Sequence, residues 1–121
     1  MRKCRILKNN NIIFSKAKIL KGFFEKSIGL ILRRELNENE ALLFRFNKPR
    51  IYSFHMFFVF FPIDIIWLNE KMEIVEIYKN FKPFSIYSPK NIATNVLEMR
   101  KGSIAKHGLS LGDKLFISYR L

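Results

Sequence analysis

The apolar positions of this chain come in short runs with imperfect period-two alternation, punctuated by Gly, Pro or Asn positions. That rhythm belongs to strands rather than helices. Ile12 to Leu20 reads as a strand, broken at Lys21-Gly22. Phe23 to Arg34 reads as a short amphipathic helix, with Phe24, Ile28, Leu30 and Ile31 turned to the core. Gly29 lies inside it and needs a packing reason, since glycine there costs about 1 kcal/mol relative to alanine. After the polar loop Asn37 to Glu40 comes a strand over Ala41 to Phe46, which Asn47-Lys48-Pro49 is expected to end. Tyr52 to Phe58 and Ile63 to Leu68 are strands flanking Pro62. Asn69-Glu70-Lys71 turns the chain into Met72 to Tyr78, giving a hairpin with one wet face. Lys79 to Asn91 is a loop carrying Pro83 and Pro89. Ile92 to Met99 is a strand, Ser103 to His107 a helical turn, Gly108 to Asp113 a turn, and Lys114 to Tyr119 the last strand.

The densest apolar stretch, Phe54 to Leu68, raises the question of a membrane span. A spanning helix needs about 20 mainly apolar residues. This stretch is shorter, contains His55 and Asp64, and is split by Pro62. A carboxylate at mid-bilayer costs roughly 2.5–3.5 kcal/mol, and proline is confined to strand ends, edges and bulges. Two buried strands meeting at Pro62 satisfy both constraints, and no transmembrane segment is expected.

Composition supports a folded domain. At 121 residues, with 49% hydrophobic content and 13 phenylalanines, the chain is long enough to bury one core. The reading is one domain over 1–121. The fold class is mainly β: a compact antiparallel β-barrel or sandwich-like single domain with one or two short helices. Cys4 is alone, which excludes an internal disulfide or a cysteine cluster. The basic start, Met1 to Lys8, is not followed by the apolar region of an export signal, so a cytoplasmic location is expected.

Charge changes the picture most. The net charge is +12, and residues 1–34 hold ten Lys or Arg against one acid, Glu25. The rest of the chain holds twelve bases against nine acids. A basic N-terminal segment, 1–11, precedes further lysines at 16, 18 and 21 that alternate with apolar residues, as on the wet face of a strand. Such a patch attracts phosphates, and it also serves as a solubilising surface. Base-reading motifs are absent, so nucleic acid stands as an alternative partner.

Blocks along the chain carry a family pattern. They are Gly29-Leu30-Ile31, Ala41-Leu42-Leu43-Phe44, Phe54-His55-Met56 followed by Pro62-Ile63-Asp64, then Asn80, Pro83, Tyr87 and Pro89, and finally Leu97-Glu98 and Gly112-Asp113. In this order and spacing, over about residues 13–118, the chain resembles the uncharacterised DUF192 family in its archaeal form. Many members have a Trp-Met-Lys-Asn-Thr string where this chain has His55-Met56-Phe57-Phe58-Val59, so the polar part of that string is missing. The resemblance implies a compact, mainly antiparallel β fold with short helices, and it implies no established activity.

Candidate chemistry is sparse. Asp64, between Ile63 and Ile65, needs partners if buried. It is either a proton-transfer or ligand group, or an acceptor for backbone N–H near Pro62. His55 is the residue to pair with it as an acid–base couple, but no Ser or Cys completes a nucleophilic set. Glu98 before Arg100-Lys101 reads as a salt bridge or cap at the strand-to-helix junction. His107-Gly108 reads as a helix end, and Gly112 as a conformational glycine. Convergence of His55, His107, Asp64 and Glu98 on a metal has no zinc-motif spacing, so no metal or cofactor is expected. The leading reading is a non-enzymatic binding or interaction module for a small molecule or protein. Its ligand-binding candidates are Tyr52, His55, Asp64, Tyr87 and Lys90. A small enzyme built on His55 and Asp64 is the alternative.

Overall fold

The computed structural model of the chain describes residues 2–21, 34–55 and 60–119, with His55 represented by its backbone alone. The described strands are β1 (Arg2–Lys8), β2 (Asn11–Lys21), β3 (Glu40–Arg50), β4 (Phe54–His55), β5 (Ile63–Leu68), β6 (Ile74–Phe81), β7 (Ile86–Tyr87), β8 (Ala93–Arg100) and β9 (Phe116–Ser118). One helical turn, α1 (Ser103–Lys106), follows β8. Seven strands form a sheet in the order β6-β5-β8-β3-β2-β1-β9, and β4 pairs with β7 in a small second sheet. The mainly β class is as expected, and β5 has the bounds read from its sequence. The helix expected over Phe23 to Arg34 lies, but for its last residue, outside the described residues.

Of the strand expected over Tyr52 to Phe58, the described residues keep only Phe54–His55, and β6 and β9 begin two residues later than expected. Four further details depart from the sequence reading, each for a local reason. The basic start is itself a strand: β1 hairpins onto β2 through Asn9-Asn10, whose φ values of 51° and 65° are those of a two-residue turn that asparagine tolerates. β2 and β3 run parallel, so the sheet is not wholly antiparallel. A parallel pair needs a long crossover, which residues 22–39 supply. β3 does not stop at Asn47-Lys48-Pro49 but resumes pairing at Arg50 with Ala93 after a register shift, the irregularity that accommodates Pro49. The loop expected over Lys79 to Asn91 starts later, because β6 runs on to Phe81, and β7 lies within it.

The sheet curls without closing strand to strand. Its edges approach where Glu73 bridges Lys114. There the N–H of Ile74 donates to Asp113 O at 2.8 Å, and that of Leu115 to Met72 O at 2.9 Å. The architecture is therefore barrel-like and sealed by turn residues at the seam.

Alternation along the central strands sorts the core into two layers. Leu43, Ile66, Leu68, Leu97 and Met99 face inward with Cys4 and Ile6, while Phe44, Ile65, Trp67 and Val96 face the outer layer under β4 and β7. All six residues of β5 are buried, so the carboxyl half of the apolar stretch is a core strand. No described helix is long and apolar enough to cross a membrane. Ile104 and Leu109 join the inner layer, so α1 and the turn after it plug one end of the curled sheet.

Candidate functional site

Asp64 sits at the plugged end. It is 1% exposed, and both its oxygens are occupied. The N–H of Asn80 donates to Oδ1 at 2.9 Å, and the N–H groups of Gly102 and Ile104 donate to Oδ2 at 3.0 Å each. A helix start leaves its first N–H groups without partners, and a side-chain acceptor normally satisfies them from the N-cap position. Here the N-cap is Gly102, which has no side chain, and Asp64 reaches across from β5 instead.

Glu98 takes the opposite course. The expectation of a salt bridge or cap at the β8–α1 junction is corrected, because Asp64 does the capping. Glu98 lies inside the sheet between Leu42 and Ile65, is 1% exposed, and has an Oε2 with no hydrogen-bond partner. Burial pushes its carboxyl well above the ordinary value. His107 closes α1 as expected, with Gly108 behind it at φ 58°. Its ring meets Phe14 edge-on at 5.2 Å, and burial draws its pKa down.

Tyr87 and Lys90 belong to a hub around Glu76. That carboxylate accepts the Tyr87 hydroxyl, the N–H groups of Lys90 (2.8 Å) and Asn91 (3.0 Å), and the Asn91 amide (2.9 Å). Burial alone would raise the Glu76 pKa, but the hydrogen bonds outweigh it and hold the group below its ordinary value. The same bond lifts Tyr87 to about 12. Tyr52 stacks on Phe46, with centroids 3.8 Å apart, and its hydroxyl donates to Lys48 O. Tyr52 and Tyr87 thus meet the outer aromatic layer, the Tyr52 carbonyl accepting from Trp67 Nε1 and the Tyr87 ring lying 5.4 Å from that of Trp67. Asp64 alternates to the inner side, so the candidates do not share one concavity. The backbone of His55 pairs with Ile86; its side chain lies outside the described residues. No group of three or more metal-ligating side chains occurs among the described residues.

The end opposite α1 carries Arg45, Asn95 and Tyr119, which the sequence reading did not single out, and Lys21, which alternation sets on the face opposite Lys16 and Lys18 rather than beside them. Following the inner face outward, Ala17 and Ile19 lead to Lys21, Ala41 and Leu43 to Arg45, and Met99 and Leu97 back to Asn95. Lys21 and Arg45 are register partners, as are Arg45 and Asn95. Arg45 Nε donates to Asn95 Oδ1 at 3.0 Å, and Asn95, 2% exposed, donates onward to Asn69 O at 3.3 Å. Arg45 Nη1 donates to Tyr119 OH at 3.4 Å, and the guanidinium of Arg2 lies 3.9 Å above the Tyr119 ring. Two guanidiniums therefore converge on one tyrosine, and Lys21 is the register partner of one of them. No carboxylate among the described residues pairs with Arg2, Lys21 or Arg45. Beneath them, burial raises the Cys4 thiol pKa while Arg45 and Arg2 oppose it. The available signal was that three inner-face series end in polar residues at the same end, a pattern visible only once the register is known.

Comparison with known proteins agrees with the fold. A crystal structure of a protein of unknown function from Novosphingobium aromaticivorans superposes with a TM-score of 0.79 at 25% identity, covering 94% of this chain and 83% of that one. A UPF0127 protein of Thermococcus sibiricus is 34% identical over 102 residues, covering 83% of this chain and 64% of the relative. One from Thermococcus kodakarensis is 30% identical over 98 residues, covering 81% and 62%. This chain thus spans less than two thirds of the length of these two relatives. The model of the DUF192 family, described as an uncharacterised group, matches residues 5–117 and so takes in the second half of β1 as well as the blocks from Gly29 onward. The chain belongs to the DUF192 family, alongside archaeal UPF0127 proteins.

Proposed function

We propose that the protein is a non-enzymatic, cytoplasmic binding module that takes a small anionic ligand at the end of the curled sheet opposite α1. The observation that carries this reading is the convergence of Arg2 and Arg45 on Tyr119, with Lys21 opposite Arg45 and no described carboxylate to neutralise them. Like charges placed opposite each other on a sheet are destabilising, and a bound oxyanion removes that cost. Guanidinium groups match carboxylate and phosphate oxygens two at a time. Asn95, buried and fixed by Asn69 and Thr94, holds Arg45 in place. An acid–base role for Asp64 would require it to release three backbone donors, which weighs against the enzyme alternative. The lone buried Cys4 suits a reducing compartment.

The test is thermal unfolding in inorganic phosphate or citrate against chloride at equal ionic strength. A ligand at a hundred times its Kd stabilises by about 2.7 kcal/mol. The oxyanion should raise Tm in the parent protein and leave Arg45→Gln and Arg2→Gln unshifted. If chloride does as well, or if both variants respond like the parent, the reading fails.

A further inference from the structure

The outer face of the sheet divides into two halves of different chemistry. Over β5, β8 and β3 it is apolar but for Glu98 and is covered by the outer core layer. Over β2, β1 and β9 it carries Lys3, Arg5, Lys16 and Lys18, around a groove of about 440 Å³ floored by Cys4 and Ala17. Lys3 and Lys18 are register partners, so the pairing sets two lysines across from each other on one face. Lys3 and Arg5, two residues apart on one strand, are spaced about 6.6–6.8 Å along it. Glu40, the register partner of Lys16, does not cancel this charge. It is held by Arg34 at 2.8 Å, which with the Asn37 N–H draws its carboxyl down to about 2.

Phe116 continues this face. It pairs with Leu7, is 51% exposed, and has the Lys114 ammonium 5.4 Å from its ring centroid. An exposed aromatic at the rim of a row of strand-borne cations is the arrangement in which sheet proteins hold single strands, with phosphates on the cations and a base on the ring. A polyanion without rings would use the cations and leave Phe116 idle.

We propose that the outer face of β2, β1 and β9 binds single-stranded nucleic acid, with Lys3, Arg5, Lys16 and Lys18 on the phosphates and Phe116 stacked on a base. This surface is separate from the Arg2–Arg45 end, and the two are tested by different variants. Fluorescence anisotropy with a labelled mixed-sequence 12-mer, as DNA and as RNA, reads it directly. Four phosphate contacts on a single strand give a log–log salt slope of about −2.8, or roughly 50-fold weaker binding at 200 mM than at 50 mM salt. The double variant Lys3→Gln/Lys18→Gln should flatten that slope by about 1.4. Phe116→Ala should weaken binding roughly fivefold or more at an unchanged slope, and Lys71→Gln, on the exposed turn between β5 and β6, should change neither. Absence of binding at 50 mM salt overturns the proposal, as does affinity indifferent to Lys3 and Lys18. So does competition by inorganic polyphosphate or anionic vesicles as effective as by oligonucleotide, combined with no effect of Phe116→Ala, because the face would then recognise charge alone.

Discussion

The two ends of the curled sheet treat charge in opposite ways. At the α1 end the described ion pairs are Lys8–Asp113, Arg34–Glu40 and Lys106–Glu38, and Asp64 caps the helical turn. At the other end Arg2, Lys21 and Arg45 gather without a described carboxylate. Both ends need to stop a core from meeting water. Among the described residues, only the first does so with groups that satisfy one another, and the cations left together at the second are what the proposed anion would pair with. The difference teaches that burial of a charged residue is a poor guide to function, while the completeness of its partners is a better one.

The largest way to break this contrast is at Asp64. Asp64→Ala leaves three N–H groups at the helix start and on β6 without an acceptor, and each buried donor so orphaned costs about 1–3 kcal/mol. Urea unfolding should show a loss of about 3–4 kcal/mol, with Asp64→Asn losing roughly half because the amide oxygen still accepts. A loss under about 1 kcal/mol for the alanine variant would mean that the capping is incidental, and the α1 end would no longer be the structural one.

Glu98 sharpens the point by pH. Its folded pKa is raised above the ordinary 4.5, so the native state holds a proton that the unfolded chain releases. The stability it contributes is fully present below about pH 4.5 and is lost as pH rises through the folded value, by about 1.4 kcal/mol for each unit between them. Glu76, held low by its donors, acts in the reverse sense: its contribution is present above pH 4.5 and lost as pH falls through its folded value. Chemical unfolding from pH 4 to 9 should show the parent losing stability relative to Glu98→Gln as pH rises. Parallel curves would show that Glu98 has a partner in solution.

Much of this was legible in the sequence because it depends on local pattern. β5 was bounded correctly by Pro62 and Asn69, and the α1 turn by Gly102 and Gly108. Asp64 was recognised as needing donors, since a carboxylate between isoleucines admits few alternatives. The identity of those donors was not legible, because Gly102 and Ile104 lie 38 and 40 residues away. The charged neighbours Arg100 and Lys101 point to a paired Glu98, but the alternation of β8 outweighs them and turns it toward Leu42 and Ile65. The parallel β2–β3 pair escaped notice for the same reason: local pattern shows that a strand exists, and only the crossover shows its direction.

The smallest effect bears most directly on the two ends. Lys8 and Lys21 are both strand-terminal lysines, one at each end. Lys8 meets Asp113 at 3.0 Å and the Gly108 carbonyl at 2.7 Å, so Lys8→Gln should cost about 0.5–1 kcal/mol. Lys21 stands opposite Arg45, so Lys21→Gln should gain a few tenths of a kcal/mol in dilute chloride buffer. In 1 M salt, where screening acts within about 3 Å, the gain should vanish. In phosphate the sign should reverse, because the removed ammonium is then part of the anion's seat. If both substitutions move stability the same way under all three conditions, the ends do not differ electrostatically, and the end opposite α1 loses its claim to a ligand.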